Sequence, residues 1–164
     1  MQVEGLVHEL APDLLNYFLR RVDDPADAAD LLGDTVLVIC RRSRSVPLDR
    51  SEARLWAFGV ARKNLAGRRR ASRRRTALQE RLRTEIALEH GSAPPESNAA
   101  LHAALGHLDQ LDREIIRLLH WERFSQEEVA SILNKPAGTI RSRYTRARAT
   151  LRAQLLDLHS GAER

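Results

Sequence analysis

Ser125-Gln126-Glu127-Glu128, an apolar stripe, Asn134-Lys135-Pro136 and a basic run to Leu155 leave few options other than two helices meeting across a tight turn. The Ser125 hydroxyl can accept an early backbone N–H while Glu128 reaches back to the cap, the reciprocal pattern that starts a helix. Val129, Ile132 and Leu133 then supply a buried stripe, and Ala130 is small enough for a second helix to cross closely. Asn tolerates a left-handed backbone and Pro opens a following helix, so 134–136 is the turn. In the second helix Ile140, Tyr144, Ala147 and Leu151 fall in a narrow arc at 100° per residue, which sets the inward face. The outward face therefore holds Ser142, Thr145 and Arg146, flanked by Thr139 and Arg141, with Arg143 toward the side.

Hydroxyls and guanidiniums near the N-terminal end of a second helix suit a helix that enters the major groove. Lys135, in the turn, joins the candidates for contact with a duplex. The plainer alternative is an amphipathic hairpin with a solvated Arg face, but cap, small residue, turn and basic helix together favour a DNA reader.

The rest of the chain also reads as helical. Apolar spacing of period 3.6 dominates, no stretch alternates as a strand does, and the expected fold class is all-α. A first helix is expected over Glu4–Val22. Asp24-Pro25 supplies an N-cap and a first-turn Pro, with Asp27 where the helix dipole favours an anion, for a second helix to about Arg42. Ser43–Asp49 is a loop, and Ser51–Glu89 is one long helix or two. Gly91-Ser-Ala-Pro-Pro-Glu-Ser97 reads as a linker. Helices near Asn98–Gln110, Asp112–Trp121, Ser125–Leu133 and Pro136–Leu155 follow. The expectation is therefore two small helical domains, 1–90 and 99–164, joined by a flexible linker at 91–98, the second carrying the helix-turn-helix. A chain of this length accommodates either one ordinary domain or two small ones.

Charge separates the two ends. Residues 1–34 carry Glu4, Glu9, Asp13, Asp23, Asp24, Asp27, Asp30 and Asp34 against Arg20 and Arg21, so a total of +5 leaves the remainder strongly basic. That remainder should seek phosphate. The excess of Arg over Lys fits phosphate and base-edge forks, but a GC-rich genome produces the same bias, so the ratio decides nothing.

On the second helix, Leu32, Val36 and Ile39 share a face suited to the core. Asp27, Asp30, Leu31, Asp34 and Val38 share another, an acidic stripe with two aliphatic residues in it, as a docking surface with an apolar centre and charged rim requires. Downstream, Arg54-Leu-Trp56-Ala-Phe58-Gly-Val-Ala-Arg62-Lys63-Asn64-Leu65 mixes aromatics, cations and an amide and runs into Arg68, Arg69 and further arginines. Aromatic and guanidinium planes stack bases while cations track phosphates, so single-stranded nucleic acid is a reasonable guest. For Trp56 and Phe58 themselves, burial as core residues is the stronger reading.

Asp24-Pro-Ala-Asp-Ala-Ala-Asp-Leu-Leu-Gly-Asp-Thr-Val-Leu, Trp56-Ala-Phe-Gly-Val-Ala-Arg62, Phe124-Ser-Gln-Glu-Glu-Val-Ala and Pro136-Ala-Gly-Thr-Ile-Arg-Ser-Arg-Tyr-Thr-Arg-Ala-Arg148 resemble, in order, signatures of the extracytoplasmic-function group of bacterial RNA polymerase sigma factors. The resemblance covers almost the whole chain. It implies a first domain that binds the polymerase clamp helices and captures the melted promoter element, and a second that binds the flap and reads the upstream element. By that resemblance Asp27, Asp30, Leu31, Asp34 and Thr35 fall on the clamp-binding helix. Arg62, Lys63 and Asn64 fall where the family meets the non-template strand, and Thr139, Arg141, Ser142, Arg143 and Arg146 where it reads the duplex. Gly33, Val36 and Cys40 depart from the usual Gln, Phe and Trp. The implied partners are core RNA polymerase and promoter DNA, with an anti-sigma protein as a further candidate.

Catalysis and metal binding find no support in the pattern. The six histidines and Cys40 lack metal-ligand spacing, and there is no phosphate-cradling Gly loop, nucleophile elbow or paired-carboxylate site, so neither enzyme, metal nor cofactor is expected. No apolar run approaches the ~20 residues of a membrane span, and the N-terminus lacks an export signal. With a single cysteine and no internal disulfide, a reducing, cytoplasmic setting is expected. The rival class is a helix-turn-helix regulator whose N-terminal half senses or dimerises; it needs a resident sigma factor, whereas a sigma factor needs only core polymerase.

Overall fold

Asp24 lies in extended backbone and its Oδ1 accepts the N–H of Ala26 at 2.8 Å, so the chain turns into α2 where the Asp-Pro pair directs it. The computed structural model describes residues 3–82 and 99–161, apart from the side chains of 73, 75–82, 99, 100, 102 and 156–161. The expected linker at 91–98 lies outside the described residues. The helices are α1 Val3–Leu19, α2 Pro25–Arg41, α3 Arg50–Leu82, α4 Ala99–Gly106, α5 Gln110–His120, α6 Gln126–Leu133 and α7 Ala137–Gly161, with one 3₁₀ turn at Ser43–Ser45. The fold is all-α, with no strand among the described residues. The chain divides into two compact units, Met1–Ser92 and Ala93–Arg164.

In the first unit α1, α2 and the front of α3 pack together. Leu6, Leu10, Leu14, Tyr17 and Phe18 repeat at helical spacing on α1 and are all buried. Tyr17 meets Phe18 and Phe58 edge-to-face, with centroids 5.3 and 5.5 Å apart, the arrangement that ring quadrupoles favour. Phe58 is thus core, as expected, while Trp56 is only half-buried. The helix α1 stops at Leu19, short of the expected Val22. Arg21 follows it, buried, donating to the Tyr17 carbonyl at 2.9 Å with its guanidinium 3.7 Å from the Tyr17 ring centre. The segment 51–82 forms one helix rather than two.

The second unit is built on α4 to α7. Ala104, Leu105, Leu108, Ile116, Ala147 and Leu151 form one cluster, with Leu101, Tyr144 and Leu155 against it. Ile115, Leu118, Phe124, Val129, Ile132, Leu133 and Ile140 are also buried. Helix α4 ends at Gly106 rather than Gln110, because Arg113 caps it: Nε donates to the Leu105 carbonyl at 2.8 Å and Nη2 to those of Gly106 and Leu108, each at 3.0 Å. Helix α5 starts at Gln110, two residues before expectation, since Asp109 accepts the Asp112 N–H at 2.8 Å.

Candidate docking and nucleic-acid surfaces

The helix-turn-helix closes as its residues dictate. Ser125 N–H donates to Glu128 Oε2 at 2.7 Å and Glu128 N–H donates to Ser125 Oγ at 3.2 Å, completing the capping box. Asn134 ends α6 in the left-handed region with φ 51°, where Asn is tolerated. The Lys135 N–H returns to the Ala130 carbonyl at 3.0 Å, and Pro136 immediately precedes α7. Ile140 and Ala147 are fully buried, Leu151 nearly so and Tyr144 half-buried, so the inward stripe lies where the arc placed it. Lys135, Arg141, Ser142, Thr145 and Arg146 are exposed, and Thr139 is partly so.

The polar groups on this face are not equally available. Ser142 and Thr145 donate their hydroxyl protons back to the carbonyls of Thr139 and Arg141, at 3.1 and 3.0 Å, leaving lone pairs for a partner's donors. Arg141 lies 4.0 Å from Glu127, but both side chains are about two-thirds exposed, so that pair holds little. Arg143 is different. Its Nη1 donates to Asp109 Oδ2 at 2.8 Å and to Asp112 Oδ1 at 2.7 Å, tying α7 to the start of α5. The Asp112 N–H, and then the Arg143 guanidinium, hold the Asp109 carboxyl below its ordinary value, and both carboxylates raise that of Arg143. Although read from sequence as a duplex contact, Arg143 is thus engaged within the protein. Arg146 sits at the other side of Asp112, with Nη2 3.6 Å from Oδ2, and is 63% exposed.

In the first unit the structure rotates α2 relative to the sequence reading. Ala28, Leu31, Thr35 and Ile39 form its buried face, while Leu32 and Val36 are only half-buried. Leu31, expected on the exposed docking stripe, and Thr35, which the resemblance put on the clamp-binding helix, are core residues; this corrects the face assignment. The reason is that aliphatic residues surround α2, so periodicity alone allows more than one inward arc. Thr35 is fully buried because its hydroxyl is satisfied twice: it donates to the Leu31 carbonyl at 2.7 Å and accepts from Asn64 Nδ2 at 3.1 Å.

On the other side of α2, Asp30 and Asp34 are exposed and Asp27 and Val38 half-buried, with Leu37 more than half exposed. Asp34, Leu37, Val38 and Arg41 of α2 and Lys63, Asn64, Gly67, Arg68 and Ala71 of α3 line an open groove of about 440 Å³. Candidate docking and candidate melted-DNA residues thus share one groove. Arg68 pairs with Asp27 and lies 3.6 Å from Asp30, spanning both sets. Lys63 is exposed and Arg62 half-buried. Arg69 donates to the Arg21 carbonyl at 3.2 Å. Arg54, further from the groove, is 3.7 Å from Asp13 and 5.1 Å from the Phe58 ring centre.

Sequence reasoning missed Leu37 and Arg41 in the groove, and the Asp109–Asp112 pair behind Arg143. The second had a signal: Asp-x-x-Asp before an apolar helix is a cap pattern, and both carboxylates then face the same neighbour. Among the described residues no group of acids, histidines or cysteine is placed to hold a metal ion, and no helix is long and apolar enough to cross a membrane.

Residues 98–151, which hold the helix-turn-helix, match the family described as Sigma-70, region 4. The chain is 30% identical over 161 residues to the ECF RNA polymerase sigma factor SigL of Mycobacterium tuberculosis strain H37Rv, covering 95% of this chain and 90% of that relative. It is 29% identical over 160 residues to the RNA polymerase sigma-E factor of Streptomyces coelicolor, covering 95% and 87%. Among solved structures, the sigma factor RpoE in complex with the anti-sigma factor NepR from Bartonella quintana has a TM-score of 0.74 at 24% identity, over 93% of this chain and 95% of that one. CnrH in complex with the cytosolic domain of CnrY has a TM-score of 0.65 at 24% identity, over 95% and 88%. These two likenesses concern the fold. With SigL matched along nearly the full length of both chains, and the sigma-70 region 4 match falling on the helix-turn-helix, this chain belongs to the ECF RNA polymerase sigma factors.

Proposed function

We propose that the first unit docks on core RNA polymerase through the exposed acidic face of α2 and receives the melted promoter strand along α3, while α7 reads the upstream duplex. The observation that carries this is the outward face of α7. Arg141, Ser142, Thr145 and Arg146 are exposed opposite a buried stripe, on the second helix of a capped helix-turn-helix, in a member of a sigma-factor family.

Asp27, Asp30, Asp34 and Val38 supply the polymerase contact, with Leu37 at its apolar centre and Leu31 and Thr35 holding α2 from beneath. Lys63 and Asn64, with Arg54, Trp56, Arg62, Arg68 and Arg69 along the same helix, meet the single strand. Lys135, Thr139, Arg141, Ser142 and Arg146 meet the upstream duplex. The division of labour follows domains 1–90 and 99–164. Partners are core polymerase, promoter DNA and, as for RpoE with NepR, an anti-sigma protein. The protein's work is binding rather than catalysis, and the setting is the cytoplasm.

Reconstituted transcription tests this reading. Core polymerase with this chain alone should give start sites that share an upstream element, across a genomic library. Transcripts that need a resident sigma factor as well would make the chain a helix-turn-helix regulator instead.

A further inference from the structure

We infer that Asp112 of α5 is a positioning residue for DNA specificity: its carboxylate holds the Arg146 guanidinium in the orientation in which it meets a base edge. The inference rests on α7 reading the upstream duplex. Asp112 is buried, its side chain 8% exposed, and it occupies the first turn of α5, where its own N–H is bonded to Asp109. It has little freedom to swing. One oxygen accepts from Arg143 and the other lies 3.6 Å from Arg146. Arg143 is itself shared with Asp109, so three groups form a fixed support and a fourth, Arg146, projects from it into solvent.

The physics of each arginine assigns its part. Arg143 commits its Nη1 to two carboxylates and is 27% exposed, which makes it the strut that fixes Asp112. Arg146 is 63% exposed and has one distant anionic partner, so its planar fork is biased in direction without being consumed. An unsupported Arg side chain samples many rotamers, and docking it on a base edge costs that freedom; a fixed anion beside it removes part of the cost before binding. The same anion argues against a phosphate contact. A carboxylate beside the guanidinium opposes an approaching phosphate but leaves the fork able to meet the neutral acceptor edge of a guanine.

The test uses holoenzyme assembled from the full chain, with transcription measured on matched and scrambled upstream elements for wild type, Arg146→Ala, Asp112→Asn and the double variant. Thermal unfolding of each variant runs alongside. Asp112→Asn should lower the matched-to-scrambled ratio by about two- to fivefold, the upper part of the range for an exposed charge pair. Adding it to Arg146→Ala should lower the ratio no further. A ratio unchanged by folded Asp112→Asn, or losses that add in the double variant, overturns the positioning role. If Arg146→Ala itself leaves the ratio unchanged, Arg146 reads no base and the inference falls with that part of the proposed function. Because Asp112→Asn risks misfolding, ¹⁵N relaxation at the Arg146 Nε–H in the unsubstituted chain gives a second decision. It should be more restricted than that of Arg141, whose partner Glu127 is exposed; equal mobility overturns the inference.

Discussion

A similar fraction of residues is charged in helices α2 and α7, yet one was oriented correctly from its sequence and the other was not. Over residues 139–152 of α7 the large apolar residues Ile140, Tyr144 and Leu151 are confined, with Ala147, to one arc, and the rest is arginines, hydroxyls and the small Ala149. Only one face can go inward without burying charge. On α2, Leu31, Leu32, Val36, Leu37, Val38 and Ile39 encircle the helix, so two inward faces differ by little in buried apolar area. Contrast between faces, rather than mean apolarity, makes an orientation legible.

The two helices also handle arginine differently. Arg143 is bound by two carboxylates of a neighbouring helix, which fixes α7 against α5. Arg68 of α3 meets Asp27 and Asp30, which are themselves part of the proposed docking face. The first arrangement stiffens the helix proposed to read the duplex. The second would set the proposed polymerase contact in competition with an internal ion pair.

Replacing the central buried residue on each helix is the strongest way to break the comparison. Leu31→Ala and Ile140→Ala should each destabilise their own unit by about 2–5 kcal/mol, read by urea unfolding. Trp56 reports the first unit in a Trp121→Phe background, and Trp121 reports the second in a Trp56→Phe background. A Leu31→Ala chain as stable as wild type would return Leu31 to the surface and undo the rotated face of α2.

Thr35→Val should come next, at about 1–3 kcal/mol, since it keeps the shape but strands the Asn64 amide in a half-buried position. Its unfolding midpoint, compared with that of Thr35→Ser, separates the hydroxyl from the methyl. If Val is tolerated fully, the Thr35–Asn64 bond does not hold α2 on α3.

Gly33 sharpens the contrast with the opposite sign. It is exposed inside α2, and an added Cβ would meet nothing within 4 Å. Gly33→Ala should therefore stabilise the free first unit by about 0.5–1 kcal/mol. A loss instead would mean that α2 needs the flexibility, and polymerase affinity of the same variant would show whether docking uses it.

The smallest effect belongs to the α5–α7 strut. Asp109 is held below the ordinary value of 3.8 by the Asp112 N–H and Arg143. Its contribution is thus fully present above 3.8 and is lost as pH falls through the lower folded value, because the unfolded chain binds the proton first. Asp109→Asn keeps a capping side chain but removes the titration. Between about pH 5 and pH 2 the wild-type second unit should lose slightly more thermal stability than the variant; equal slopes would mean the strut is electrostatically idle.

The helix starts at Asp24-Pro25 and Ser125, the turn at Asn134-Lys135-Pro136 and the inward arc of α7 were determined by the sequence itself. Each depends on residues within a few positions of one another, where backbone hydrogen bonding and helical period leave one answer. The family signatures were legible for the same reason, being contiguous runs. Tertiary structure alone decided that Leu31 and Thr35 go inward, that Lys63 and Asn64 share a groove with Asp34 and Val38, and that Arg143 is held by Asp109 and Asp112. The hydrogen bonds among these outcomes join residues 29 to 34 positions apart in three bonded pairs. Local propensity cannot rank such pairings, because the energy that selects them is exclusion of water and satisfaction of buried polar groups between helices.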